Sequence, residues 1–200
     1  MFKVIIIMIV AGMLSCGNKA DQLDTKAIET VDLSNQKETP KAKVDKKKSV
    51  TNKWKEYKKG EIAIDVPVDW LINDSGKSKT TFIVFPDRIE GEAKFTDNIN
   101  LVIQKATPGL SLDKIAKVID DGNKNQQGYK LLKSSKKKLK GSEILNLEYV
   151  ATKQGYDLKY KQHFIIKNGK VYNLTFTAKQ KTYSKRVFKV IRMFNSLDID

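Results

Sequence analysis

The chain has 200 residues and a formal net charge of +15 at pH 7, with 38 lysines and arginines against 23 aspartates and glutamates. Its single cysteine excludes a disulfide framework and a thiolate metal cluster, and its length suits one domain of ordinary size with its own core. Because only three of the basic residues are arginines, the residue suited to bidentate recognition of phosphate, we expect no nucleic-acid partner.

An apolar run at the start of the chain ends at the only cysteine. Residues 4–13 are almost wholly apolar, follow a short positive start, and are closed by Leu14-Ser15-Cys16-Gly17. The run is about half as long as the roughly 20 residues of a spanning helix, and a polar sequence follows the cysteine, which disfavours both a spanning anchor and a buried thiol. The segment resembles the bacterial lipobox, although Met13 stands where that family usually has leucine. The resemblance implies a signal peptide over residues 1–15 and a lipid on Cys16.

The next segment predicts a flexible tether. Residues 16–52 lack hydrophobic periodicity, are rich in lysine and acidic residues, and contain Pro40. Such a composition buries too little apolar surface to offset the entropy lost on ordering. Eight lysines and six acids nearly cancel over residues 17–52, so most of the net charge belongs to the domain that we place at residues 53–200.

Alternating residues predict three early strands. Apolar residues recur at every second position over 62–66, a β-rich run covers 81–85, and alternation returns over 98–103. Ser111 can then cap a helix that carries Leu112, Ile115 and Ile119 on one face.

Four longer runs predict an antiparallel meander. They cover approximately residues 129–139, 142–152, 157–167 and 170–179, and the joints are Lys140-Gly141, Gln154-Gly155 and Asn168-Gly169. Asn-Gly is the strongest of these turn signals, because both of its residues accept the positive φ angles of a tight hairpin turn. An amphipathic helix over 183–195 follows, with Val187, Phe188, Ile191 and Phe194 assigned to its apolar face. We therefore predict an α+β domain in which helices flank an antiparallel sheet of about six to seven strands.

The order of these elements resembles the PsbP-like family. The residues that carry the likeness form a strand ending in P-x-x-W, an N-I-N-L strand before the capped helix, a long meander and a terminal helix. They are Ile62, Ile64, Pro67, Trp70, Asn98-Ile99-Asn100-Leu101, Ser111, Gly141, Leu147-Glu148-Tyr149, residues 172–178 and Phe194-Asn195-Ser196-Leu197. The resemblance spans residues 54–200, and it implies an accessory or assembly factor with no catalytic or metal-binding residue to transfer.

The residues that could support catalysis are few. His163 is the sole histidine, and it lacks the further ligands of a metal site and an obvious serine partner, so we expect a surface or interface histidine. Asp120 and Asp121 are adjacent, and neighbours on a helix diverge by about 100°. We predict no enzyme, no metal site and no cofactor.

Two features remain as candidates for binding. Trp70 either lines a pocket for an apolar ligand or, as we favour, packs in the core. A basic strip could contact anionic lipid or polymer together with Lys159 and Lys161, whereas the favoured interpretation is that its charges discourage aggregation through a sheet edge. The strip consists of Lys133, Lys136, Lys137, Lys138 and Lys140.

The sequence as a whole predicts a lipoprotein of the bacterial cell envelope. We expect a membrane anchor through Cys16, in the outer membrane or at the cell surface if the cell is Gram-negative, and a non-catalytic binding or assembly role with an envelope protein. A carrier of a small apolar ligand beside Trp70 is the alternative, and an unfamiliar hydrolase is the third hypothesis.

Overall fold

The computed structural model describes residues 53–76, 79–86 and 95–200. Asn52–Asp200 forms one compact unit. Cys16 and the segments predicted as signal peptide and tether lie outside the described residues. No helix in the described ranges is long and apolar enough to cross a bilayer.

Within these ranges the chain forms strands and two helices in an antiparallel α+β arrangement, as predicted. The bounds of the elements, in chain order, are Trp54–Lys59 (β1), Ile62–Pro67 (β2), Trp70–Asn73 (β3), Phe82–Pro86 (β4), Asn98–Lys105 (β5), Leu112–Asn123 (α1), Lys130–Leu139 (β6), Ser142–Lys153 (β7), Tyr156–Lys167 (β8), Lys170–Lys179 (β9), Gln180–Ser196 (α2) and Asp198–Ile199 (β10).

Most of the strands form a seven-stranded antiparallel sheet in the order β3-β4-β5-β9-β8-β7-β6. The predicted meander is confirmed as β6 to β9. Each of its three tight turns places two successive residues at positive φ, between +46° and +81°. Paired positive φ angles match the twist of the strands on either side, so glycine at the second position fixes each register.

A smaller sheet, in the order β1-β2-β10, lies on the same side of the large sheet as α2. Its alternating residues Ile62, Ile64 and Val66 point into the larger core, where they meet buried residues of α2 and of the large sheet. Helix α1 covers part of the opposite face, with Leu112 and Ile115 packed against Leu145 and Phe164. The domain thus has three layers, and β7 to β9 of the meander are largely buried on both faces, whereas β6 is mostly exposed.

Two strands were not predicted from the sequence. The sequence of strand β1 is too rich in charge to show clear alternation. In the structure only its residues Trp54, Tyr57 and Lys59 are partly buried. Strand β3 is four residues long and follows β2 after a two-residue turn. The predicted cap of α1 is confirmed, since the Ser111 hydroxyl accepts a hydrogen bond from the backbone N–H of Lys114 at 3.3 Å.

Candidate functional site

The predicted basic strip lies on β6, which is an edge strand of the large sheet. Strand alternation divides its lysines between two faces. The Lys136 ammonium pairs with Asp113 of α1 at 2.9 Å, whereas the Lys137 ammonium donates to Asn195 Oδ1 of α2 at 3.3 Å. The five lysines therefore do not form one continuous positive face. An edge position is what the aggregation-blocking interpretation requires.

The lysines that share the α2 side form a different group. Lys133 and Lys137 of β6 lie beside Lys159 and Lys161 of β8, with β7 between the two strands. We call these four residues the cationic shelf. A bulge after Leu131 sets the phase of β6, because it pairs Lys133 with Glu148 and so turns Lys133 toward α2.

Glu148 is the acid at the centre of the shelf. The Lys161 ammonium donates to Glu148 Oε1 at 2.8 Å and to Asn146 Oδ1 at 3.0 Å, and that of Lys159 lies 3.8 Å from Glu148 Oε2. Lys137 has no such counterion in the described part of the chain, and partial burial together with the charges of Lys161 and Lys133 lowers its pKa. The shelf is therefore a site of concentrated positive potential.

His163 lies beneath the shelf. Its side chain is not at the surface, since only 2% is exposed, but in the interface between β8 and α2, where the ring meets Phe194 edge-on at 4.7 Å between centroids. Neither ring nitrogen has a hydrogen-bond partner among the described residues. Burial, and then the charges of Lys137 and Lys161, lower the pKa of His163 to about 3. The ring is consequently neutral at pH 7 and does not add to the charge of the shelf.

Helix α2 exposes apolar side chains beside the shelf, which corrects the face assigned from the sequence. Phe188 is 82% exposed and Ile191 is 41% exposed, while Tyr183, Val190 and Phe194 are buried. Phe188 and Phe194 are six positions apart, which is about 120° around a helix. The buried face of α2 is thus centred on Tyr183, Val190 and Phe194, and Phe188 points to solvent.

Trp70 lies in the larger core with only 2% of its surface exposed. It begins β3 and pairs in register with Pro86 of β4. Its indole N–H has no hydrogen-bond partner among the described residues. This position is the one required by the core interpretation, and the carrier hypothesis stays a prediction.

The acidic pair at the end of α1 diverges as predicted. The Tyr129 hydroxyl donates to Asp120 Oδ1 at 2.7 Å, whereas the Lys117 ammonium donates to Asp121 Oδ2 at 2.8 Å. Among the described residues, no group of three or more His, Cys, Asp or Glu side chains is placed to hold a metal ion.

A buried polar patch on the α1 side of the sheet was missed. Asn98 and Asn100 of β5 alternate with core residues, yet both are buried. The Gln162 amide donates to Thr175 Oγ1 at 3.0 Å, and Thr175 donates to Asn173 Oδ1 at 3.0 Å. Period-two alternation predicts that the two faces differ, but it does not predict that both are covered.

Comparison with known proteins assigns the domain. The sequence profile of the PsbP family matches residues 52–199, so the chain belongs to the PsbP family. A search of curated proteins gives no match.

Solved structures share the fold at low sequence identity. The solution structure of CyanoP from Synechocystis sp. PCC 6803 is 13% identical, with a TM-score of 0.55 over 76% of this chain and 95% of CyanoP. LpqN from Mycobacterium tuberculosis, described as involved in cell envelope biogenesis, is 17% identical, with a TM-score of 0.58 over 69% of this chain and 82% of LpqN. PA94 from Pseudomonas aeruginosa, a protein of unknown function, is 20% identical, with a TM-score of 0.50 over 74% of this chain and 99% of PA94.

Proposed function

We propose that this protein is a lipid-anchored lipoprotein of the bacterial envelope whose PsbP-family domain acts as a non-catalytic binding or assembly factor. The observation that carries the proposal is the position of Cys16, directly after an apolar run and before the polar segment that leads to the domain. The envelope role described for LpqN, which has the same fold, supports the compartment.

The arrangement of side chains in the domain supports a binding role. The residues that would be candidates for catalysis are engaged structurally: His163 packs under α2, and Asp120 and Asp121 bond to different partners. Charge and apolar surface are instead concentrated on the shelf and on the outer face of α2. Surfaces of this kind recognise partners rather than transform substrates.

Replacing Cys16 by serine tests the anchor, because serine lacks the thiol that the lipid would be attached to. In cells fed a clickable fatty acid, we expect Cys16→Ser to lose the label and to retain its leader. Met13→Leu is the matched control, since it restores the usual lipobox residue and should mature at least as fully as the parent. Undiminished fatty-acid labelling of Cys16→Ser would refute the anchor.

The binding role is tested by crosslinking the acylated protein in envelopes and purifying it with its partners. We expect a specific protein to be recovered from crosslinked envelopes and not from envelopes treated in the same way without crosslinker. A copurified lipid in mass spectra, with no specific protein, would instead favour the carrier beside Trp70.

A further inference from the structure

The cationic shelf continues onto the exposed side of α2. Ser184, Phe188, Ile191 and Asn195 follow one another at spacings of four, three and four residues, so they form one stripe along the helix. Asn195, at the end of this stripe, accepts the hydrogen bond from Lys137 of the shelf. The lysines and the exposed apolar residues therefore form a single surface.

The charges on this surface are poorly balanced by acids. Glu148 is shared by Lys159 and Lys161, and Lys137 bonds to the neutral Asn195 amide. The positive charges of Lys133 and Lys161 also repel that of Lys137, and an anion supplied by a partner would stabilise the charged form of Lys137.

The apolar part of the surface has the composition of a membrane-interface contact. Phe188 places almost its whole ring in water, and Ile191 lies one turn further along the same stripe. An aromatic and an aliphatic side chain can enter the headgroup region of a bilayer, while the ammonium groups of neighbouring lysines stay with the lipid phosphates. Lysine charges suit a diffuse array of anions, whereas a defined phosphate pocket more often uses arginine.

We propose that the shelf and the Phe188 stripe dock the domain on an anionic bilayer, with Phe188 and Ile191 in the interface and the exposed Lys133 and Lys137 over acidic headgroups. The inference deepens the proposed function, because a chain held at a membrane through Cys16 would present this surface to lipid. The docking itself depends on the folded domain alone and does not require the anchor.

The test uses the isolated domain, residues 52–200, so that its outcome is independent of acylation. Asn52–Asp200 is one compact unit, and the match to CyanoP covers 95% of that solved chain. Cosedimentation is measured with vesicles of phosphatidylcholine alone or with about one-third phosphatidylglycerol. We expect binding only to the anionic vesicles, and we expect added salt to weaken it.

Two pairs of variants separate docking from net charge and general hydrophobicity. Lys137→Glu should lower the partition coefficient at least about fivefold, while Lys138→Glu, which makes the same charge change on the opposite face of β6, should change it far less. Phe188→Ser should lower it about tenfold. Leu71→Ser is its control, because Leu71 is also exposed but lies on β3, at the opposite edge of the sheet.

Circular dichroism establishes that each variant is folded before its binding is compared. Equal losses for Lys137→Glu and Lys138→Glu would overturn the proposal, because they would reduce the effect to net charge. Release by millimolar-range inorganic phosphate with no effect of Phe188→Ser would also overturn it, in favour of a site for a small anion. If the domain docks but Cys16→Ser in the full chain still carries the fatty-acid label, only the proposed anchor is refuted. If the domain does not dock, the docking proposal is refuted and the proposed anchor is unaffected.

Discussion

His163 shows how strongly position controls the chemistry of one side chain. A free imidazole titrates near pH 6.5, whereas burial against α2 and two nearby ammonium groups lower the pKa of His163 to about 3. Between these two pH values the unfolded chain binds a proton that the folded domain does not bind. The free energy of unfolding must therefore fall as the pH falls through this window. Above pH 7 the imidazole is neutral in both states, so its burial no longer makes stability depend on pH.

The variant His163→Leu tests this linkage. Leucine cannot take up a proton in the unfolded chain, so the variant should lose about 2 kcal/mol less stability than the parent between pH 7 and pH 5. Urea unfolding at the two pH values measures the difference. Carboxylate contributions are common to both proteins and cancel. Parallel losses of stability in parent and variant would show that His163 is protonated in the fold.

Glu61 contributes a pH dependence of the same sign by another route. It accepts hydrogen bonds from the Lys170 ammonium and the Tyr172 hydroxyl, and these contacts lower its pKa. A lowered carboxylate pKa stabilises the fold above the ordinary titration range of glutamate, and this contribution is lost on acidification. The contact also ties the β1-β2 hairpin to β9 of the large sheet.

The hairpin turns are the elements that the sequence predicts best, and one of them offers a direct test. Gln154 has φ +52° in the turn before Gly155, where asparagine is the better residue. We expect Gln154→Asn to raise the free energy of unfolding by about 0.5 kcal/mol and the β-branched Gln154→Val to lower it by about 1 kcal/mol.

Chemical denaturation measures both changes. Glu143→Gln serves as a nearly neutral control, because Glu143 is exposed and lies at the other end of β7 from the turn. An order of stability in which Gln154→Val exceeds Gln154→Asn would contradict a left-handed conformation at this position.

The meander and α1 could be predicted because they have turn or cap residues at their ends, and α2 could be predicted from the helical spacing of its apolar residues. The site was harder to predict. Strand alternation indicates that Lys136 and Lys137 point in opposite directions, but the bulge after Leu131 and the presence of α2 on one face depend on tertiary pairing. The spacing of Phe188 and Ile191 fits an apolar face, and only the packing of the whole helix shows that the buried face is centred elsewhere.

The two sheets depend on pairings between distant parts of the chain. Strand β10 pairs with β2, and the backbone N–H of Asp200 donates to the carbonyl of Glu61 at 3.0 Å. Ile199 is buried in the larger core, whereas the side chain of its neighbour Asp198 is half exposed and pairs with Lys140. The small sheet is therefore completed by a segment that follows all the other strands.

Truncating Ile199 measures how much this closure stabilises the domain. Ile199→Ala should lower the free energy of unfolding by about 2–4 kcal/mol, since it removes buried methyl groups where two sheets meet. Asp198→Ala is the matched control on the same strand and should cost below about 1 kcal/mol, as exposed ion pairs do. Urea unfolding at pH 7 gives both values, and equal losses would mean that β10 adds no packing of its own.

This late pairing sets an order of events during synthesis. A chain is synthesised from its amino end, so β2 is made long before β10. Ile62 and Ile64 therefore cannot complete their core packing until Ile199 has been released. Contacts between distant segments also form slowly. The domain can therefore close its core only after the last residues of the chain have been made.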